Sequence, residues 1–230
     1  MAGLLDPLKV KDLVFRNRIV MPPMQTGRAT LKGAVTDRLI KFYVRRSAAL
    51  GLLIVEHSYV SASGKLSPKQ LGIYDDTLID GLKKLTGAIQ EVGTPVVVQI
   101  THAGGIANQK IIGIEPVGPS ATGKSRELTR NEIEALVEEF AMAADRAVKA
   151  GFDGVELHGA HGFLLNQFFS PLFNKRRDEF GGSLENRTCF PLMVVNAVRE
   201  RVREKLLLYR LGADDLAPKG TQVEDSTGFA

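Results

Sequence analysis

The chain has 230 residues, 44% of them hydrophobic, and a formal net charge of +4. That composition suits one globular domain with a sizeable core. The small net charge, without a dense basic stripe, points away from nucleic acid and from a membrane surface as partners. One cysteine, Cys189, excludes a disulfide framework and an intrachain cysteine metal site; beside Phe190-Pro191 it reads as a packing residue. The first residues show no basic segment leading into an apolar run, and no stretch approaches ~18 apolar residues. No signal peptide or membrane span is expected, and a cytoplasmic location follows as an expectation.

Short β-rich runs bounded by Gly and Pro read as buried parallel strands. In chain order they are Arg18-Ile19-Val20-Met21, Leu52-Leu53-Ile54-Val55, Val96-Val97-Val98, Val155-Glu156-Leu157 and Leu206-Leu207-Leu208-Tyr209. Helical spacing fills the gaps between them. Leu39, Phe42, Tyr43, Arg46 and Leu50 precede the second run; Ile79, Leu82, Leu85, Ile89 and Val92 precede the third. Ile133, Leu136, Val137, Phe140, Ala144, Ala147 and Val148 follow, with Thr129 and Glu132 as a capping box at the start. Val194, Val195, Val198 and Val202 form the last helical face. The alternation predicts an α/β fold with a parallel sheet.

An open doubly wound sheet and a closed barrel both satisfy that alternation. The open sheet usually carries a glycine-rich dinucleotide turn after its first strand, and no G-x-G-x-x-G follows any strand here. The barrel instead gathers functional groups at the C-terminal ends of several strands. The five runs end at Pro22-Pro23-Met24-Gln25, Glu56-His57, Gln99 with Thr101-His102, His158 with His161, and Arg210. The fold expected is therefore a TIM (β/α)₈ barrel, truncated after about strand five. Residues 1–230 form its N-terminal part, strands six to eight are absent, and the tail Gly212–Ala230 reads as a loop.

The strand-end segments resemble the old yellow enzyme family of FMN-dependent ene-reductases and NAD(P)H:flavin oxidoreductases. The resemblance rests on Asn17-Arg18-Ile19-Val20-Met21-Pro22-Pro23-Met24, on Gln99 with His102-Ala103-Gly104, and on Gly151-Phe152-Asp153-Gly154-Val155-Glu156-Leu157-His158-Gly159-Ala160-His161-Gly162. It continues through Leu165-Asn166-Gln167-Phe168, Ser170-Pro171, Asn174-Lys175-Arg176 and Asp178-Glu179-Phe180-Gly181-Gly182-Ser183-Leu184-Glu185-Asn186-Arg187.

The resemblance implies FMN as cofactor and NADH or NADPH as electron donor. Pro23, Met24 and Gln25 would line the flavin, His57 would contact it, and Gln99 would pair its amide with the pyrimidine edge. Arg210 would sit near N1 and O2, where a fixed cation favours the reduced ring. His158 and His161 would grip the carbonyl oxygen of a small enone-type substrate while hydride passes from flavin N5 to the β-carbon. The family often places Tyr where Phe163 stands, as proton donor to the α-carbon, and Thr or Cys where Gln25 stands. Some relatives place a substrate-contacting Tyr where Gly27 stands. Larger relatives add an iron–sulfur cluster, whose cysteines would lie past residue 230.

Other roles read as structural. Glu56 and Glu156 are expected as paired buried charges, and Arg187 as a loop staple. His158 and His161, three apart, have no obvious third ligand for a metal. The alternative reading is a non-catalytic fragment that cannot hold FMN by itself, or one needing a homo-oligomer or another partner to complete the barrel. A flavin-free aldolase would want a lysine at a strand end, and none of the five ends offers one.

Overall fold

The computed structural model describes residues 2–230. Near the N-terminus, β1 (Leu8–Val10) and β2 (Leu13–Phe15) pair as an antiparallel hairpin. The five runs then become β3 (Val20–Met21), β4 (Leu52–Tyr59), β5 (Val96–Thr101), β8 (Gly154–Gly159) and β9 (Leu206–Leu211). They form one parallel sheet in the order β3-β4-β5-β8-β9, so each strand pairs with the next of the five. A short bridge of β6 (Val117–Gly118) with β7 (Arg126–Glu127) lies in the long connection after β5.

Helices make the crossovers that parallel neighbours require. These are α1 (Asp37–Ser47), α2 (Ile79–Gln90), α4 (Arg130–Lys149) and α6 (Leu184–Val202), with the short α3 (Gln109–Ile112) in the β5–α4 connection. Side chains alternate across each strand. Leu53, Val55, Val96, Val98, Val155 and Leu157 pack with Leu39, Leu82, Ile133, Phe140 and Val194 of the helices in the main core. The opposite set, Leu52, Ile54, Val97 and Leu206, packs with Phe15 and Leu13 of the hairpin. Cys189 packs at the edge of the main core, and burial pushes its thiol pKa up.

The capping box of α4 is present. Thr129 Oγ1 accepts from Glu132 N (3.4 Å), and Glu132 Oε2 accepts from Thr129 N (2.9 Å). Thr129→Ala is expected to cost about 1 kcal/mol by urea denaturation. An unchanged midpoint would deny the box any energetic role.

Three elements depart from the sequence reading. α6 begins at Leu184, where Ser183 caps Asn186 N, and runs through Pro191 to the valine face. The Phe190 ring packs tilted against Phe168 at 4.4 Å, and that contact holds the early turns that valine spacing did not show. The string after β8 forms α5 (Leu164–Phe169), all six residues buried. The tail is not only loop: Val223–Phe229 is a helix, α7, whose Phe229 packs on Phe169 (5.2 Å) and Tyr209 (5.3 Å). A helix this short forms through tertiary packing and not through propensity, so its own residues do not announce it.

Candidate active site

The parallel register sets the site in layers. Gln99 lies opposite Glu156, and His158 lies opposite Arg210. Gln99 Nε2 donates to Glu156 Oε1 at 2.7 Å. Gln99 Oε1 is buried and has no hydrogen-bond partner. Glu156 is therefore paired with an amide, not a cation. Burial raises its pKa, and the Gln99 hydrogen bond and the Arg210 charge oppose that rise. The Arg210 side chain makes no hydrogen bond or ion pair of its own among the described residues.

Two residues along, the imidazoles converge. His158 Nε2 and His161 Nδ1 lie 2.9 Å apart, within hydrogen-bond distance. Thr101 Oγ1 stands 3.4 Å from His158 Nδ1. His161 has φ +58°, a left-handed conformation that a non-glycine residue rarely adopts and that clusters at functional sites. Phe163 lies against His158, ring centroids 4.2 Å apart. Gly159 makes room beneath: a Cβ there would collide with the Tyr209 ring.

His57 joins this group through a bulge. The β4–β5 register shifts between Val55 and Ser58. Bulges re-aim side chains, here exchanging the expected alternation. Glu56 turns to Tyr43 of α1 and Thr26, accepting from Thr26 N at 2.9 Å, with no basic partner. His57 turns to Phe163 (5.1 Å) and His158 (5.8 Å). Its Nδ1 is 2.9 Å from Gln70 Nε2, an amide donor, so the ring proton belongs on Nε2. β4 continues past Glu56-His57 to Tyr59 because pairing resumes after the bulge.

The loop after β3 is held by Glu56 through Thr26. Pro23 is buried, Met24 and Gln25 are exposed, and Gln25 Nε2 donates to Ser67 Oγ. Arg187 lies in the first turn of α6, not in a loop. It still staples loops: Nε donates to Phe169 O (2.9 Å) and Nη1 to Gly182 O (2.7 Å). Sequence reasoning missed Gln70, which has no local signal, and the place of Phe163 as a plate between imidazoles.

Burial keeps these rings neutral. It lowers the pKa of His57 and of His102 to about 4, and of His158 to about 2, from the usual 6.5; His57, His161 and Arg210 add to the depression at His158. Unfolding below pH ~6.5 then takes up protons at these rings. Their contribution to stability is present above pH ~6.5 and is lost as pH falls toward 4. His57 and His102 are expected to titrate near pH 4 by NMR of the imidazole C–H shifts. A midpoint near 6.5 for either would contradict their neutral burial.

A family model described as the NADH:flavin oxidoreductase / NADH oxidase family matches residues 3–230. The chain belongs to this family. Among its relatives is an NADH oxidase of Thermoanaerobacter brockii, 42% identical over 232 residues, spanning 96% of this chain and 36% of the relative. An NADPH dehydrogenase of Clostridium acetobutylicum is 40% identical over 222 residues, spanning 92% of this chain and 64% of the relative. The old yellow enzyme homologue of Zymomonas mobilis superposes with a TM-score of 0.91 at 30% identity, covering 98% of this chain and 67% of that one. The chain thus spans about a third of the first relative and just under two thirds of the second. Its five-stranded sheet is part of the family's (β/α)₈ barrel.

The family implies FMN. The site fits it at one atom above all. A buried acceptor without a partner, Gln99 Oε1, costs about 1–3 kcal/mol, and a ring N–H on a pyrimidine edge would satisfy it. Arg210, two strands' width from Gln99 across Glu156, would supply positive charge on the same side. No helix among the described residues is long and apolar enough to cross a membrane.

Proposed function

We propose that residues 1–230 are the N-terminal part of an FMN-binding barrel that reduces an activated C=C bond at the expense of NADH or NADPH. The observation that carries this reading is the 2.9 Å convergence of His158 Nε2 and His161 Nδ1. Burial holds His158 neutral, and partial desolvation and the Arg210 charge lower the pKa of His161. Thr101 Oγ1, 3.4 Å from His158 Nδ1, can donate to it and so leave the ring proton on Nε2, facing His161. In the empty pair one nitrogen must accept. A carbonyl oxygen between them lets both donate, and two preorganised donors favour the enolate over the ground-state carbonyl.

FMN reduced by NAD(P)H, when bound, supplies the hydride. Pro23, Met24 and Gln25 would line its ring, His57 would contact it, Gln99 Oε1 would accept from its pyrimidine edge, and Arg210 would favour negative charge there. Phe163 packs on His158 and has no acidic proton, so the α-carbon would take its proton from water or from another group. The test is the visible spectrum of the chain mixed with FMN and passed through gel filtration. Protein-bound yellow absorbance, bleached by NADH or NADPH, is the expected result. A colourless protein peak would favour a non-catalytic or partner-dependent fragment and overturn the proposal for this chain.

A further inference from the structure

The sequence shows no dense basic stripe, yet the fold builds a basic patch away from the strand ends. A concavity of about 540 Å³ lies between Arg28, in the loop after β3, and the outer side of α1. Arg38, Lys41 and Arg45 recur along α1 at neighbouring-turn spacing, and Arg46 follows. None of these five cations has a carboxylate within ion-pair distance among the described residues. Asp37, at the first turn of α1, is the only acidic residue lining the concavity.

Two of the guanidinium groups are already positioned. Arg28 lies over the Phe42 ring at 4.5 Å and Arg46 at 3.8 Å. Arg28 Nη1 also donates to Thr26 O (3.1 Å), and Arg46 Nη1 to Phe42 O (2.8 Å). Aromatic stacking and one backbone bond each hold the planar forks and leave most of their donors unused. Like charges crowded this closely repel, and an anion in the concavity relieves that repulsion. A second copy of the chain facing this side would bring the same charges together, which disfavours a self-interface.

We propose that this concavity binds the phosphate groups of a small ligand, as a pyrophosphate or phosphomonoester, with the arginine forks taking its oxygens. Arg and phosphate match in charge and in bidentate geometry. Arg28 stands three residues after Gln25, so at most about 11 Å of chain separates them. A ligand long enough to span from the loop after β3 to this concavity would bring its phosphate end here.

The test is calorimetric titration of the chain with inorganic pyrophosphate at low ionic strength, without flavin, so its outcome is independent of the flavin reading. Wild type is expected to bind one pyrophosphate per chain. R38E/R45E is expected to bind it at least about tenfold more weakly, having lost two charge-assisted contacts. K83E/K84E makes the same charge change on exposed residues of α2 and is expected to bind like wild type. Circular dichroism checks that each variant is folded. Equal weakening in both variants would reduce the effect to net charge and overturn the site, as would the absence of saturable binding by wild type. With binding shown, competitors identify the source. Displacement by NADH and NADPH alike assigns the nicotinamide donor, displacement by NADPH alone assigns its extra phosphomonoester, and displacement by neither excludes the nicotinamide donor as the source.

Discussion

Replacing His158 and His161 together with alanine is expected to lower affinity for a phenol or enone by about a hundredfold or more, while flavin content stays unchanged. In the proposed role each imidazole would donate one hydrogen bond to the ligand oxygen, and bonds to a charged oxygen contribute roughly 1.5–3 kcal/mol apiece. Two such bonds exceed the 1.4 kcal/mol that equals a tenfold change. The 2.9 Å contact between the rings means they act as a unit. Either single variant is therefore expected to lose most of what the double variant loses, because the survivor keeps no fixed partner. Spectral titration of the FMN-loaded protein with a phenol measures the affinity. Unchanged affinity in the double variant would sink the assignment of the pair to substrate.

Arg176→Ala is expected to cost about 3 kcal/mol or more of folding stability. The Arg176 side chain is 5% exposed. Nη1 donates to Pro119 O (3.0 Å) and Leu128 O (2.8 Å), and Nε and Nη2 meet Asp178 at 3.0 and 2.5 Å. This one guanidinium ties the β6–β7 bridge to the segment between α5 and α6. Truncation leaves two carbonyls without their donor inside the protein and a cavity where the side chain stood. Arg201 offers the contrast: its pair with Glu138 is 2.8 Å long, but its side chain is 43% exposed. Arg201→Ala is expected to cost under ~1 kcal/mol, because water replaces an exposed partner. Urea midpoints compare the two, and equal losses would remove Arg176 from its bracing role.

Much of the site was legible because strands announce their own ends. The valine run before Gln99, and Gly154-Val155-Glu156-Leu157 before His158, are local signals of period and punctuation. In the structure His158 and Arg210 lie one residue before the ends of their strands, and Gln99 lies two residues before the end of β5. The Glu156 reading was half right. It is buried and paired, but with Gln99 and not with a cation, across 57 positions of chain. Arg187 likewise staples loops as expected, though from within a helix.

The sequence by itself determined the alternation of strands and helices, the strand-end residues and the family. Each of these rests on neighbours within a few positions or on an ordered string. Only the tertiary structure decided what those residues meet. The bulge in β4 exchanges Glu56 for His57 at the site, and a one-residue slip leaves no mark on composition or period. Gln70 sets the tautomer of His57, Phe229 gives α7 a packing partner, and Arg28 joins the cations of α1. All three are contacts between segments distant in the chain. Their energy comes from burial and complementarity at closure, which no local window contains.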